Sequence, residues 1–432
     1  MALDDDDVFI LYIGNFDTSM LKLSTATRLV YGDDDDVFIL YIGNFDTSML
    51  KLSTATRSTA SLGSIILGIE TSCDDTGCAV INENGTILGE ALHSQHQVHL
   101  DHGGIIPPIA QTLHRQYIEK IVETALLNAK MTVNDVDAIA TTVKPGLPLS
   151  LIIGSKYGKY LCRKYNKPFI PIHHMEAHAL TIRMVKDIKF PFLVLLISGT
   201  TFDDAPGEAF DKVARRMKLK NIPEYSQMSG GQAIESAAAK STDPLKYKFT
   251  IPLTQYRDCN FSMAGLKTQL LRHLIREEKA HNVAPDEVIP NVYDLSAGFL
   301  LVIARHLCHR VQRGMIFAER RGLITKDRKT LVVSGGAACN NFIAKSLHTV
   351  CDELGYQFAR PPPKLCTDNG VMIAWNGVEK WRANIDVTYD YDSIITEKTS
   401  PLGINIANEV MEENISCKWV KLSKLNNALA FK

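Results

Sequence analysis

Short apolar runs alternate with amphipathic stretches along the chain from residue 64 onward. Residues 64–70, SIILGIE, are rich in β-branched side chains and precede polar turn residues, a pattern that predicts a strand. Further strands are predicted at 78–81, 86–92, 138–143, 168–172, 192–198 and 331–336, and helices at 118–129, 149–165, 295–313 and from residue 367. Alternating strands and helices predict a layered α/β fold, and two strand-rich beginnings indicate two related lobes.

The first sixty residues contain an internal duplication. Residues 4–28 and 33–57 are identical in sequence. Repeat architectures usually have three or more copies that differ from one another, so two identical copies indicate a recent duplication or a gene-model error. The four consecutive aspartates are unlike a mitochondrial transit peptide, which is poor in acidic residues. We therefore expect residues 1–60 to be a disordered or artefactual extension without a function.

The composition is that of an ordinary globular protein. The 432 residues include 45% hydrophobic and 22% charged residues, which excludes a disordered or collagenous chain. The formal net charge is −1, but the duplicated segment is acidic, so the remainder is mildly basic and compatible with nucleic acid. Nine cysteines without a CxxC pair favour reduced thiols inside a cell over a disulfide framework. No apolar run reaches the ~18 residues of a membrane span.

The sequence HMEAH offers a candidate metal site. A spacing of four residues places His174 and His178 on one helix face, where both imidazoles can bind one cation. Two ordinary histidines are the alternative. A zinc peptidase needs HExxH, with its general base directly after the first histidine. Glu176 lies two residues after His174 and should face away from a bound metal, which counts against peptidase chemistry.

Three other segments have the composition of ligand-binding turns. In GIETSCDDT, at 68–76, hydroxyl groups could bind phosphate and an aspartate could bind a metal, or the segment could be a polar turn. SGGAACN, at 334–340, allows a close approach of backbone to a nucleotide. In CTDNG, Asp368 could be a helix N-cap or a carboxylate that completes a two-histidine metal site. Four histidines at three-residue intervals, 93–102, are interpreted as a polar loop.

Eight segments in order resemble one family, the threonylcarbamoyl-adenosine synthases of the TsaD/Kae/Qri group, once described as O-sialoglycoprotein endopeptidases. They are GIETSCDDT, GGIIPPIAQTLHR, KPGLPLSLIIG, HHMEAH, DDAPGEAFDKVAR, FSMAGLKT, SGGAACN and CTDNGVMIAWNG, and the resemblance extends over residues 65–406. The form HMEAH is similar to the bacterial and mitochondrial branch, and a mitochondrial member is the expected match.

This resemblance implies an α/β fold of the actin-like ATPase (sugar-kinase) type, with two lobes around a nucleotide cleft. The expected boundaries are 61–187 for the first lobe, 188–395 for the second and 396–432 for a tail. The implied reaction transfers threonylcarbamoyl from threonylcarbamoyl-AMP, made by a separate synthase, to N6 of the adenosine beside the anticodon. The implied substrates are tRNAs that read codons starting with A. A homodimer in the mitochondrion, not associated with a membrane, is expected, and 212–220 is a candidate tRNA contact or a solvated helix face.

The resemblance also implies the site residues. One divalent metal ion, iron or zinc, would be bound by His174, His178 and Asp368. The positions that match substrate contacts of the family are Leu196, Ile197, Ser198, Gly199, Asp211, Gly230 and Asn340. No residue is assigned as a general base.

The sequence departs from the family pattern after Gly199. The family continues with a second glycine, a histidine and a further strand, and roughly twenty residues, the size of a hairpin, are absent here. The loss should leave strand 192–198 with an unpaired edge and remove part of the donor loop. We therefore expect impaired activity of this chain. The alternatives are an inactive ATPase-fold binding module and a zinc metallopeptidase.

Overall fold

The structure, a computed structural model, describes residues 40–42, 63–101, 104–197 and 206–418. Its nine strands within these ranges are β1 Leu40–Ile42, β2 Ile65–Glu70, β3 Asp75–Asn82, β4 Ile87–Ser94, β5 Ala138–Lys144, β6 Phe169–His173, β7 Leu193–Leu196, β8 Thr330–Ser334 and β9 Gln357–Ala359. Its helices within these ranges are α1 His96–Asp101, α2 Pro107–Ala129, α3 Pro148–Tyr165, α4 His174–Leu180, α5 Ile182–Val185, α6 Pro206–Arg216, α7 Gly230–Ala238, α8 Ala264–Ala280, α9 Val292–Arg320, α10 Asn341–Leu354, α11 Pro363–Cys366, α12 Gly370–Ala383 and α13 Ala407–Glu412.

The chain forms two compact units. The described residues of the first unit lie within Asp46–Ile188 and Pro361–Leu402, and those of the second lie within Met1–Phe45, Lys189–Arg360 and Gly403–Lys432. This division differs from the expected second lobe, residues 188–395, because the chain after Arg360 returns to the first unit. The physical reason is α12, a largely buried helix that packs on β2, β3 and β5.

The first unit is built on a five-stranded sheet in the order β4-β3-β2-β5-β6. Strands β2, β3 and β4 are antiparallel, and β5 and β6 run parallel to β2. All six residues of β2 are buried because helices cover both faces of this strand. Leu67 and Ile69 join the core that α2 contributes to, whereas Gly68 faces α12, where a Cβ would lie 2.3 Å from the backbone nitrogen of Ala374.

Two local predictions for the first unit differ from the structure. Helix α2 begins at Pro107, eleven residues before the predicted start, because two prolines suit the first helical positions. The histidine-rich segment is not a loop throughout, since His93 lies in β4 while His96 and His99 lie in α1. Helix α1 is compatible with this sequence because buried His99 bonds the side chain of Gln95 at 3.0 Å, one turn earlier.

The second unit has a four-stranded sheet in the order β1-β7-β8-β9. Strands β7, β8 and β9 are parallel, and the long helix α9 lies in the core with most of its side chains buried. Strand β1 pairs with β7 in the antiparallel sense, with Leu40 opposite Leu195 and Ile42 opposite Leu193.

Strand β1 corrects two expectations. The edge of β7 is not unpaired, because residues 40–42 of the expected extension form a strand beside it, whereas the remaining residues of 1–60 lie outside the described part. The pairing has a physical reason, because the buried backbone groups of β7 need partners. The second copy of the duplication contains an apolar segment, ILYI, with the composition of a strand. No helix within the described residues combines the length and hydropathy that crossing a bilayer requires.

Candidate metal centre

His174 and His178 lie on the short helix α4, which begins directly after β6. Their ring centroids are 4.7 Å apart and the ring planes are perpendicular. His178 is fully buried and His174 is 7% exposed. The spacing of four therefore places both imidazoles on one face, as the sequence predicted.

Asp368 completes the cluster from the turn between α11 and α12. Its Oδ1 atom is 3.1 Å from Nε2 of His178 and 3.5 Å from Nε2 of His174. Asp368 is not the N-cap of α12, because Asn369 has that role and accepts a hydrogen bond from the backbone of Met372 at 2.9 Å. The carboxylate is thus left to face the two imidazoles. Within the described ranges, no other group of three His, Cys, Asp or Glu side chains converges in this manner.

The electrostatics of the cluster suit a cation. Burial lowers the pKa of His174, but the carboxylates of Asp368 and Glu70 outweigh that effect and raise it to about 9. Burial raises the pKa of Asp368, but His174 and His178 outweigh that effect and hold the pKa of this carboxyl below its usual range. The carboxylates of Glu70 and Asp368 are negative and lie beside the two imidazoles. A positive charge between them is therefore favourable, and either a proton or a divalent cation can supply it. Two imidazole nitrogens and one carboxylate oxygen, all within 4.8 Å of one another, are a donor set that zinc and iron accept.

Helix α12 positions the three residues of the cluster. Its first residue, Gly370, lies so close to β3 that a Cβ there would be 2.3 Å from the backbone carbon of Cys78, which keeps the Asp368 turn against the sheet. Farther along α12, the Trp375 indole donates to the Leu180 carbonyl at the end of α4, at 3.1 Å. Packing of α12 against both α4 and the sheet therefore brings Asp368 to His174 and His178.

Glu176 faces away from the cluster, as expected from its position on the helix. Its carboxylate lies 3.5 Å from the ammonium of Lys380, which also pairs with Asp386 at 2.7 Å. This arrangement leaves no glutamate base beside the histidines in the position that a peptidase of the HExxH type requires.

Two buried residues that sequence reasoning did not single out support the site. Glu70 ends β2 with 0% exposure and lies 3.4 Å from Nδ1 of His174. His114 on α2 bonds the Cys73 carbonyl at 3.0 Å and the Thr76 hydroxyl at 2.7 Å, which fixes the turn after β2. A glutamate at the end of an apolar strand is the signal that could have identified Glu70, since a buried carboxylate needs partners.

The predicted substrate residues that the structure describes lie in the second unit. Leu196 ends β7, and Ile197 follows it with its N–H donating to the Ser334 carbonyl at 2.8 Å and its carbonyl accepting from Ala337 at 3.0 Å. Asn340 is the N-cap of α10, and its Oδ1 accepts from the backbone of Ile343 at 3.0 Å. The structure therefore brings the end of β7 to the SGGAACN turn. The predicted contacts Ser198 and Gly199 lie outside the described residues.

Asp211 and Gly230 are brought into direct contact. The Asp211 carboxylate accepts a hydrogen bond from the Gly230 N–H at 2.7 Å. A Cβ on Gly230 would lie only 2.4 Å from that carboxylate oxygen, so the contact requires glycine. Two further polar groups, the Ser334 hydroxyl and the Asn340 amide nitrogen, are buried without a partner among the described residues. Such groups at the carboxyl ends of parallel strands are typical of a ligand site.

Known proteins identify the family. A family model described as TsaD, tRNA N6-adenosine threonylcarbamoyltransferase, matches residues 86–201 and 197–375. The chain belongs to this family. The mitochondrial tRNA N6-adenosine threonylcarbamoyltransferase of Xenopus tropicalis is 47% identical over 376 residues, which cover 83% of this chain and 93% of the relative. The mitochondrial enzyme of Homo sapiens is 43% identical over 382 residues, 84% of this chain and 92% of the relative.

Family membership confirms the predicted α/β fold of the actin-like ATPase type, and the names of these relatives confirm the mitochondrial branch and the transferase prediction. The solved structure of T. kodakarensis HypF is similar at a TM-score of 0.43 and 13% identity, over 75% of this chain and 48% of that chain. A likeness of that degree does not by itself define a fold.

The two matched segments of the family model overlap at residues 197–201, where the sequence departs from the family pattern after Gly199. The Xenopus alignment is also longer than the part of this chain that it covers, 376 positions against 83% of 432 residues. The difference corresponds to roughly twenty positions, about one β-hairpin, at which this chain has no residue.

Proposed function

We propose that this chain transfers a threonylcarbamoyl group from threonylcarbamoyl-AMP to N6 of the adenosine beside the anticodon, in mitochondrial tRNAs that read codons starting with A. The new bond joins N6 to the carbamoyl carbon, the bond from that carbon to the phosphate oxygen breaks, AMP leaves, and the proton lost by N6 passes to the solvent. The convergence of His174, His178 and Asp368 in a member of this family is the observation that carries the proposal.

The metal ligands of the proposed enzyme are His174, His178 and Asp368, with iron or zinc as the cation. When bound, a divalent cation supplies Lewis acidity that polarises the carbamoyl phosphate anhydride and offsets charge on the leaving phosphate, an effect of several kcal/mol. The more open side of the cluster is at Asp368, whose side chain is 23% exposed, whereas that of His178 is fully buried. The chain thus holds its two histidine ligands on a buried helix, and a cation would approach from the side of the Asp368 carboxylate.

The proposed donor site is the group of residues around Ile197 and Asn340, with Asp211 and Gly230. The buried Ser334 hydroxyl and Asn340 amide, which have no partner among the described residues, support this role because a bound adenylate could pair with them. Such a site would act mainly by positioning the carbonyl for attack by the amine.

The tRNA is proposed to be held chiefly through its phosphates. In the candidate segment 212–220, Arg215 and Lys220 are exposed. Arg216 and Lys218, in contrast, both pair with Glu278, at 2.7 and 3.3 Å, which reduces the charge available for a phosphate. The segment therefore contributes fewer phosphate contacts than its sequence suggests. From the family resemblance, we also propose that the chain forms a homodimer and that a separate synthase makes the donor.

We also propose that this chain is less active than its relatives because a hairpin-sized segment is missing after Gly199. The position at which the two family segments meet supports this proposal. The test is threonylcarbamoyl transfer to tRNA by the purified chain, compared with a chain into which the corresponding segment of the Xenopus relative has been inserted. Full activity without the insertion would contradict the impairment.

A comparison of wild type with His174→Ala, each with the insertion, tests the transferase itself. Loss of transfer in the variant is expected, and equal transfer would contradict the metal centre. If the wild-type chain with the insertion folds and binds a cation but does not transfer the group, the alternative of an inactive binding module gains support. The peptidase alternative has no support, since Glu176 pairs with Lys380.

A further inference from the structure

We propose that Glu70 is a positioning residue of the metal centre, whose buried carboxylate holds His174 in the tautomer that presents Nε2 to a divalent cation. This inference rests on the proposed function and assigns a role to a residue outside the ligand set.

The Glu70 carboxylate is itself held rigidly. It lies at the end of β2 with 0% exposure. Its Oε1 atom accepts a hydrogen bond from the backbone N–H of Ser72 at 2.5 Å, and its Oε2 atom accepts from the hydroxyl of Thr142 on β5. The carboxylate is therefore fixed between the turn after β2 and the neighbouring strand.

The same carboxylate faces the ring nitrogen of His174 that is directed away from Asp368. Oε2 of Glu70 is 3.4 Å from Nδ1 of His174, and the Ser72 hydroxyl is 3.1 Å from the same nitrogen. Nε2 of that ring lies 3.5 Å from Asp368 instead. A carboxylate can only accept, so it favours a proton on Nδ1 and leaves the lone pair of Nε2 for the metal.

The Ser72 hydroxyl cannot impose this choice alone, because a hydroxyl donates as readily as it accepts. Without the carboxylate, Ser72 could donate to Nδ1, and the proton would then occupy Nε2 and compete with the cation. The tautomer of His178 is not set in the same way, since its Nδ1 atom is buried without a partner among the described residues. His174 is thus the ligand whose tautomer the protein sets, and Glu70 is the group that sets it.

The test is metal affinity rather than catalysis. Glu70→Gln keeps the size of the side chain but adds an NH₂ donor that can bond Nδ1 and favour the wrong tautomer. Cobalt(II) and zinc binding to the full chain would be measured by competition with a chelator, together with the visible spectrum of the cobalt protein. We expect about 10- to 100-fold weaker binding than wild type and an altered cobalt spectrum, the range typical of losing a partner of a metal ligand.

Glu176→Gln is the matched control, because Glu176 is also a buried carboxylate, lies on the helix of the two histidines, and pairs with Lys380 instead. It should lower the melting temperature yet change metal affinity less than threefold. If metal binding were weakened equally in both variants, Glu70 would have only a structural role and the proposal would be overturned. Unchanged metal affinity in Glu70→Gln would also overturn it.

If Glu70→Gln does not fold, Thr142→Val decides instead. It keeps the carboxylate but removes the hydroxyl that fixes Oε2, and several-fold weaker binding is expected, whereas wild-type affinity would overturn the proposal. A wild-type chain that folds but binds neither metal would overturn the proposed metal centre together with this inference. Metal binding by wild type that does not depend on Glu70 would overturn this inference alone.

Discussion

His178 and Asp368 are separated by 190 residues in the chain, yet Nε2 of the imidazole lies 3.1 Å from Oδ1 of the carboxylate. They meet because α12 returns to the first unit and packs on both the sheet and helix α4. The cluster thus depends on the packing of one buried helix.

Replacing Asp368 by asparagine should empty the proposed metal centre. The change removes the only carboxylate within the described ranges that faces both Nε2 atoms, so we expect metal affinity and threonylcarbamoyl transfer each to fall by at least about 10-fold. Metal content after dialysis, measured by mass spectrometry, and modified adenosine in tRNA are the two readouts.

The control for that change is Asn369→Ala. Asn369 caps α12, so its loss should cost about 1 kcal/mol of unfolding free energy without removing a ligand. Metal loss in the control equal to that in Asp368→Asn would show that destabilisation of α12, rather than a lost ligand, is the cause.

Gly230→Ala should disturb the contact with Asp211. Its Cβ would lie 2.4 Å from the carboxylate oxygen and 2.5 Å from the Asp211 Cα atom, so α6 and α7 must move apart at a cost of about 1–3 kcal/mol. Urea denaturation measures the stability, and calorimetry with AMP measures the expected loss of binding to the proposed donor site.

Gly231→Ala is the paired control on the same helix. Its Cβ would meet nothing nearer than 3.9 Å, and alanine favours a helix over glycine by about 1 kcal/mol, so the variant should be as stable as wild type or more so. Equal destabilisation at both positions would contradict the proposed close contact.

The second copy of the duplication should be needed for the sheet of the second unit. In an edge strand, every second backbone N–H donates a hydrogen bond to the neighbouring strand. Because proline has no N–H, the double change Leu40→Pro with Tyr41→Pro must remove one of the hydrogen bonds to β7. We expect a lower melting temperature and more aggregation, measured by calorimetry and light scattering. Leu11→Pro with Tyr12→Pro makes the same change in the first copy and leaves the observed pairing intact. Equal effects of the two double variants would contradict a specific role for β1.

The ion pairs of Glu278 with Arg216 and Lys218 should stabilise the second unit at neutral pH and lose this effect in strong acid. The hydrogen bonds from Arg216, with support from Lys218, lower its pKa to about 2. A lowered carboxyl pKa stabilises the fold fully above its unfolded value near 4.5, and this contribution is lost as pH falls towards 2. Glu278→Gln should therefore cost about 1–2 kcal/mol at pH 6 and progressively less at pH 4 and pH 3, measured by urea denaturation. A difference from wild type that does not depend on pH would contradict this.

Local sequence patterns predicted much of the fold. The apolar run that became β2 and the predicted strand at 138–143 needed only the burial preference of β-branched residues, which is a local property. The pairing of His174 with His178 also followed from sequence, because helical geometry relates residues four apart wherever the helix lies. The resemblance to the family then indicated Asp368 as the third ligand. The distance along the chain between Asp368 and the histidines could not have indicated it.

Tertiary structure alone decided the rest. Whether Asp368 capped a helix or faced the histidines depended on the course of the chain after Arg360. The partner of the β7 edge came from residues 40–42, which belong to a duplication that looked like an artefact. Glu70 acquired its role only when β2, β5 and α4 met. In each case the deciding contact joins residues far apart in the chain, and local propensity contains no information about which distant surfaces will pack together.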